Sequence, residues 1–307
     1  MPRTALFSRN QPGGVWTISD LVAHPGDIWF VDSGCTTGAD SAGYGQNPDA
    51  AFLTLDYAVG KCTANNGDVI YCMPGHAENL TGAASVDIDV AGVTVIGLGK
   101  GADRPTFTAT VAAGAFKLNA ASVRVENLLF LGGVDVTTGM LRVAGADCAI
   151  IGCEYRDSVG QATDVVITAA TADRLLIDGF RFIGDAAAGA DTAIALVGGS
   201  DIEIRNFYIY GNFALGGIQV RTTATTRVNV HDGFIQTINA NDLGIKDLIT
   251  ASTGIIGPNL RFMLADNAAN ITEAITGATF VLFPPIYVAN LVGEIAMAIN
   301  TTAATDA

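Results

Sequence analysis

The sequence predicts an all-β fold, a single-stranded right-handed parallel β-helix of about seven or eight coils, on three observations. The first is a recurring segment of alternating apolar residues: VRVENLLF (123–130), CAIIGCEY (148–155), LLIDGFRF (175–182), IEIRNFYI (202–209), VHDGFIQ (230–236) and IGPNLRF (256–262). The second is a marker inside each copy, at Asn127, Gly152, Gly179, Asn206, Gly233 and Asn259, at separations of 25, 27, 27, 27 and 26 residues. An earlier copy, VTVIGLG, places Gly97 30 residues before Asn127. The third is composition: half of the residues are apolar, 15% are charged, 7% are aromatic and 36 are glycine, which suits strands, turns and a narrow aliphatic core.

A period in the mid-twenties, with alternation inside it, describes a coil of two or three short strands. Stacked coils pair each strand with its equivalent about 4.8 Å away. Gly and Asn tolerate the left-handed backbone conformation that turns a chain at a fixed corner. The separations of a sandwich (turns every 8–12 residues) do not fit, and the LxxLxLxxN spacing of leucine-rich repeats is absent. Alternation assigns Val123, Val125, Leu128 and Phe130 inward, then Leu175, Ile177, Phe180 and Phe182, then Ile202, Ile204, Phe207 and Ile209. The copies at Gly233 and Asn259 are out of register by one residue and predict a bulge or a longer corner.

Three segments follow in chain order. Residues 1–46 form an N-terminal arm with one strand-prone piece, Asp27 to Val31. Residues 47–265 form the β-helix, opened by a capping helix over 47–62 in which Asn47 caps, Pro48 takes the first turn, and Phe52, Leu55 and Val59 face the core. The cap is required because an uncovered stack would pair with other chains. Residues 266–307 are apolar and strand-prone, outside the repeat, and suited to assembly.

The formal net charge of −14 argues against nucleic-acid binding, which needs clustered Lys and Arg. It also disfavours polyanionic substrates unless a local basic groove intervenes. The N-terminus lacks the apolar region of a secretory signal. Pro284, Pro285 and Glu294 break the most apolar stretch, so no membrane span is expected. The five cysteines, Cys35, Cys62, Cys72, Cys148 and Cys153, do not form a disulfide framework; a Cys62–Cys72 bridge is conceivable. With no CxxC and with scattered histidines, no metal or cofactor is expected.

The segment NPDAAFLTLDYAVGKCTANNGDVIYCMPGHAENL (47–80) resembles the opening of pectate-lyase-like right-handed β-helix proteins. Phe52, Leu55, Ala58, Val59, Gly67, Asp68, Val69, Ile70, Pro74 and Gly75 carry the resemblance. It implies a helix that plugs the first coil and a Gly-Asp turn that starts it. It is informative for fold and not for activity, because that superfamily hosts lyases, hydrolases, epimerases, phage tailspikes and non-enzymatic virion proteins.

Catalysis of those kinds needs a basic residue with calcium-binding carboxylates, or paired acids on neighbouring coils. The RxPxxR-type basic cluster of the lyases is missing. Asp178 has Glu126, Ile151 and Arg205 as its equivalents, hence no acid partner on the next coil. His231 and Asp232 form the most suggestive local pair, against the simpler reading of two solvent residues at a corner. His76 reads as a turn residue. Phe207, Tyr208, Tyr210 and Phe213 form an aromatic cluster whose exposed members can stack on sugars. The absence of a convincing constellation, the Ala/Gly/Thr-rich texture and the apolar flanks lead to the expectation of a non-enzymatic virion protein. That texture resembles phage virion proteins of this fold, and a capsid decoration protein is expected, made in the host cytoplasm. It would be trimeric and would contact the major capsid protein or other virion subunits through its terminal segments. The alternatives are a tailspike-like polysaccharide lyase or hydrolase, or a carbohydrate-binding adhesin.

Overall fold

A computed structural model describes residues 26–136, 138–157, 162–185, 190–239, 243–265, 274–277, 279–290 and 295–298. The chain is a right-handed parallel β-helix of about eight turns whose strands form three parallel sheets. Sheet A starts at Ile28–Val31, continues through strands such as Arg124–Glu126, Leu176–Asp178 and Val228–His231, and ends at Phe280–Leu282. Sheet B runs from Ala77–Leu80 to Ile286–Asn290, and sheet C from Val86–Ile88 to Ile275–Thr276. Each coil contributes one strand to each sheet, and successive strands pair in parallel.

The core is a set of stacked columns. Val95, Val125, Ile150, Ile177, Ile204, Val230 and Ile256 fill the inner face of sheet A, each no more than 1% exposed. On sheet B, Phe107, Phe130, Tyr155 and Phe182 occupy equivalent inward positions, with the Tyr155 and Phe182 rings stacked at 5.1 Å. All the positions assigned inward by alternation at 123–130, 175–182 and 202–209 are buried. Burying each such side chain is worth about 1.5–3 kcal/mol. Repetition of that gain from coil to coil stabilises a fold with few long-range contacts beyond its neighbours.

The N-terminal cover differs from the expected helix over 47–62. A 3-10 turn at Pro48–Ala50, where the Asn47 side chain accepts from the Asp49 N–H, precedes a short helix at Leu55–Val59. The helix is interrupted because Phe52 is recruited as strand: its N–H donates to Phe30 O and its carbonyl accepts from the Asp32 N–H. Phe52, Leu55 and Val59 are nevertheless buried beneath the first coil. The buried Asp68 carboxylate accepts from the backbone N–H groups of Asp27 and Thr63 and from the Asn66 amide, fixing the Gly67-Asp68 turn. The Ile28–Val31 strand is the first rung of sheet A, within the span read as an arm.

At the other end the coils continue past residue 265. Phe280–Leu282 and Ile286–Asn290 add parallel rungs to sheets A and B, and Ile295–Ala298 closes sheet B antiparallel. All five cysteines are free, so Cys62 and Cys72 are not bridged. Burial pushes the Cys62 and Cys153 thiols up to about 12, as expected for packed apolar sulfurs.

Candidate functional site at the coil corners

The corner from sheet A to sheet B turns on one left-handed residue per coil. Asn127, Gly152, Gly179, Asn206, Asp232 and Asn259 have φ between 53° and 70°. Asn and Asp are the non-glycine residues that best tolerate this region. The Asn127 and Gly152 N–H groups donate to the Ile151 and Asp178 carbonyls of the following coil. Two expected markers differ. Gly233 lies one residue beyond the corner, which is Asp232, and the strand before it pairs with Glu203–Arg205 without a bulge. Gly233 sits at the inward position filled elsewhere by Leu128, Cys153, Phe180 and Phe207, where a Cβ would meet the Phe207 ring at 2.1 Å. Gly97 ends an extended strand, where a Cβ would meet the Asn127 carbonyl at 2.4 Å; the left-handed glycines of that corner are Gly99 and Gly101. The out-of-register spacing at Asn259 is a corner longer by one residue, with Gly257-Pro258 between Ile256 and Asn259 where the coil below has only His231 between Val230 and Asp232.

Outward from this corner the structure brings Asp178, His231 and Asp232 into one polar ladder. Arg205, one coil above Asp178, donates through Nε to Asp178 Oδ2 at 2.9 Å and through Nη1 to Glu203 Oε1 at 2.9 Å. His231 Nε2 lies 3.2 Å from the same Glu203 oxygen, and its Nδ1 lies 2.6 Å from Asp232 Oδ2. Asn206 donates to Asp178, and Asn259 to Asp232, each at 2.8 Å. Burial works to raise the Asp178 carboxyl, but hydrogen bonds from Asn206 and Arg205 and the Arg205 charge hold it below the usual range. Hydrogen bonds from His231 and Asn259 likewise lower Asp232. Both acids are therefore kept ionised and both imidazole nitrogens are engaged, which suits cross-coil bracing better than proton transfer. His76 is fully buried, accepting the Ser33 N–H at Nδ1.

A shallow depression of about 410 Å³ opens beside the ladder, lined by Asn206, Asp232, Asn259, Arg261 and Tyr287. Of the aromatic cluster, Phe207 and Phe213 are core, whereas Tyr208 is 37% exposed.

Sequence reasoning missed a second column at the corner from sheet C to sheet A. Asp147, Arg174, Asp201 and Arg227 are all left-handed, with φ of 54–59°. Arg174 grips Asp147 with both Nε and Nη2, at 2.5 and 2.8 Å, and Arg227 grips Asp201 at 2.6 and 2.7 Å. The available signal was the recurrence of alternating Asp and Arg at the chain's own period. Also missed was a buried carboxylate, Glu154, held between Arg104 and Arg156. Among the described residues no group of three metal-ligating side chains converges, and no helix is long and apolar enough to cross a membrane.

No protein-family model matches this chain. No curated protein is similar to it in sequence. Among solved structures, one titled rhamnogalacturonan lyase aligns over 87% of this chain and 86% of its own, with a TM-score of 0.47 and 12% identity.

Proposed function

We propose that this chain is a non-enzymatic structural subunit of a virus particle, a decoration protein on the head of a tailed phage. The observation that supports a structural over a catalytic role is the pairing of the carboxylates at the two corners that flank sheet A. Asp147, Asp178 and Asp201 each meet an arginine of the next coil, and Asp232 is held by His231 and Asn259. Glycoside hydrolysis needs one carboxyl kept protonated beside an ionised partner, and the contacts at these corners favour the ionised form throughout. The last coils also present apolar side chains to solvent: Val281 is 63% exposed, its register partner Ile255 44%, and Phe283 56%. Such a surface suits burial against a scaffold.

The test is localisation and binding. Cryo-electron microscopy of assembled particles should place the chain on the head, and purified chain should rebind particles that lack it. No polysaccharide should be cleaved. A second reading, a glycan-binding adhesin or tailspike-like depolymerase, is favoured by the depression, whose Tyr287 is 42% exposed. Cleavage of a capsular polysaccharide that Asp178→Asn or Asp232→Asn abolishes would establish that reading and overturn the first.

A further inference from the structure

On the outward face of sheet B, in register above the paired Glu154, runs a column of arginine and aromatic side chains. Arg181, Tyr208, Phe234, Arg261 and Tyr287 follow one another in exact strand register on five consecutive coils. Arg181 lies over the Tyr208 ring at 5.2 Å, and the Tyr208 and Phe234 rings stack at 5.2 Å. Among the described residues, these two arginines and Arg142, which bonds Gly139 O and Thr138, have no ion pair, whereas Arg104, Arg124, Arg156, Arg174, Arg205, Arg221 and Arg227 all do. Exposed arginines and tyrosines in a stripe have the composition of an interaction hot spot.

The complementary surface is on the same molecule. Where sheet B passes into sheet C, Asp135, Asp164 and Asp191 occupy three consecutive coils, linked by the bond from Ala162 N–H to Asp135 and by the bond from Asp191 N–H to Thr163 O. Asp164 is buried and taken by Arg221. Asp135 is exposed and Asp191 half-buried, and neither has an ion pair among the described residues. Burial first, then the charges of Asp164 and Asp135, raises the Asp191 carboxyl despite the opposing effect of Arg221.

We propose that the Arg181–Tyr287 stripe of sheet B docks against the Asp135/Asp191 corner of a second copy of this chain. The two surfaces differ, so the contact is head-to-tail and can repeat from copy to copy. Arg181 and Arg261 are three coils apart and Asp135 and Asp191 two, so a second copy displaced along the helix axis by two to three coils brings both arginines close to the level of both aspartates. Two chains of net charge −14 repel at long range, and an association between them needs this kind of local opposite charge. The inference deepens the structural-subunit reading by naming a partner. It is read on the isolated chain, so it stands or falls separately from particle binding.

Three purified chains test it by sedimentation velocity: the wild type, Arg181→Glu/Arg261→Glu, and Asp135→Asn/Asp191→Asn. Circular dichroism and melting confirm that each is folded. The wild type should self-associate, and raising NaCl should weaken it. Each double variant should lose at least about tenfold in affinity. An equimolar mixture of the two variants should form a 1:1 dimer and stop there, because it holds one intact stripe and one intact acidic corner. Overturning results are a wild type that stays monomeric at about 100 μM, association untouched by the arginine changes, or a mixture that does not dimerise. A monomeric chain that instead binds an acidic glycan through Arg261 also overturns it.

Discussion

Replacing Gly233 with alanine should destabilise the β-helix, although glycine inside a strand is ordinarily a weakness. In a strand that tolerated the change, alanine would gain about 0.5–1 kcal/mol from the lost freedom of the unfolded chain. Here the new methyl would lie 2.1 Å from Cζ of Phe207 and 2.3 and 2.4 Å from its two Cε atoms. The Phe207 ring is fully engaged in the core at 3% exposure, so it has nowhere to retreat without disturbing the coil below. Overpacking of this kind costs about 1–3 kcal/mol, and the net loss should fall near 1–2 kcal/mol after the entropic gain. Phe207→Ala alone should cost about 3–5 kcal/mol as a cavity. In that background Gly233→Leu should recover part of the loss, because the side chain removed from one coil is replaced from the next. Urea denaturation followed by circular dichroism yields the four corners of the cycle. The reasoning fails if Gly233→Ala is neutral or stabilising, or if the two sites add within about 0.5 kcal/mol.

Two further predictions concern single groups. Asp56 is raised by burial and by the neighbouring Glu78, Asp87 and Asp89, despite accepting the Asp87 N–H. A carboxyl whose folded pKa lies above its unfolded value costs stability once pH exceeds the unfolded value, and that cost is complete above the folded pKa. Asp56→Asn should therefore raise the melting temperature at pH 7, with the difference fading as pH falls to about 4; an unchanged melting curve at pH 7 would refute the assignment. Cys35 is partly exposed, and a hydrogen bond with Thr37 lowers its thiol, whereas Cys72, Cys148 and Cys153 are buried and raised. Brief iodoacetamide treatment of folded protein should alkylate Cys35 first, as peptide mass spectrometry will show.

The corners show how far residue types alone reach. Asn127 and Asn206 mark themselves because asparagine is enriched in the left-handed region. At His231-Asp232-Gly233 the same rule misleads: glycine is the stronger signal, but it is present to admit Phe207, and Asp232 takes the turn. The last coil escapes a search for Gly or Asn because its corner residues are Pro284 and Pro285, aligned with Pro258 and Asn259 below. Its alternation, Phe280 to Leu282 and then Ile286 to Val288, is otherwise that of the preceding coil. The Arg181–Tyr287 stripe was invisible because each member is an ordinary solvent residue in its own strand. Only the register sets them in line.

Register also explains the alternation of charge at the sheet C to sheet A corner, and that explanation can be tested by permutation. A parallel stack places equivalent residues of adjacent coils about 4.8 Å apart, so a repeated aspartate would set like charges against each other along the whole column. Asp147, Arg174, Asp201 and Arg227 avoid this by alternating, and each arginine grips the aspartate of the coil before it. If alternation is what matters, inverting the entire column (Asp147→Arg, Arg174→Asp, Asp201→Arg and Arg227→Asp) should leave the melting temperature close to that of the parent. Exchanging only the upper pair (Asp201→Arg with Arg227→Asp) keeps composition and net charge but sets Arg174 against a second arginine. That half-inverted chain should melt lower than either alternating form at low ionic strength. The gap should narrow in 1 M NaCl, where screening shortens to about 3 Å. Equal melting of the half-inverted and fully inverted chains at low salt would mean that the column is held by backbone geometry alone, and that its charges only follow the turn.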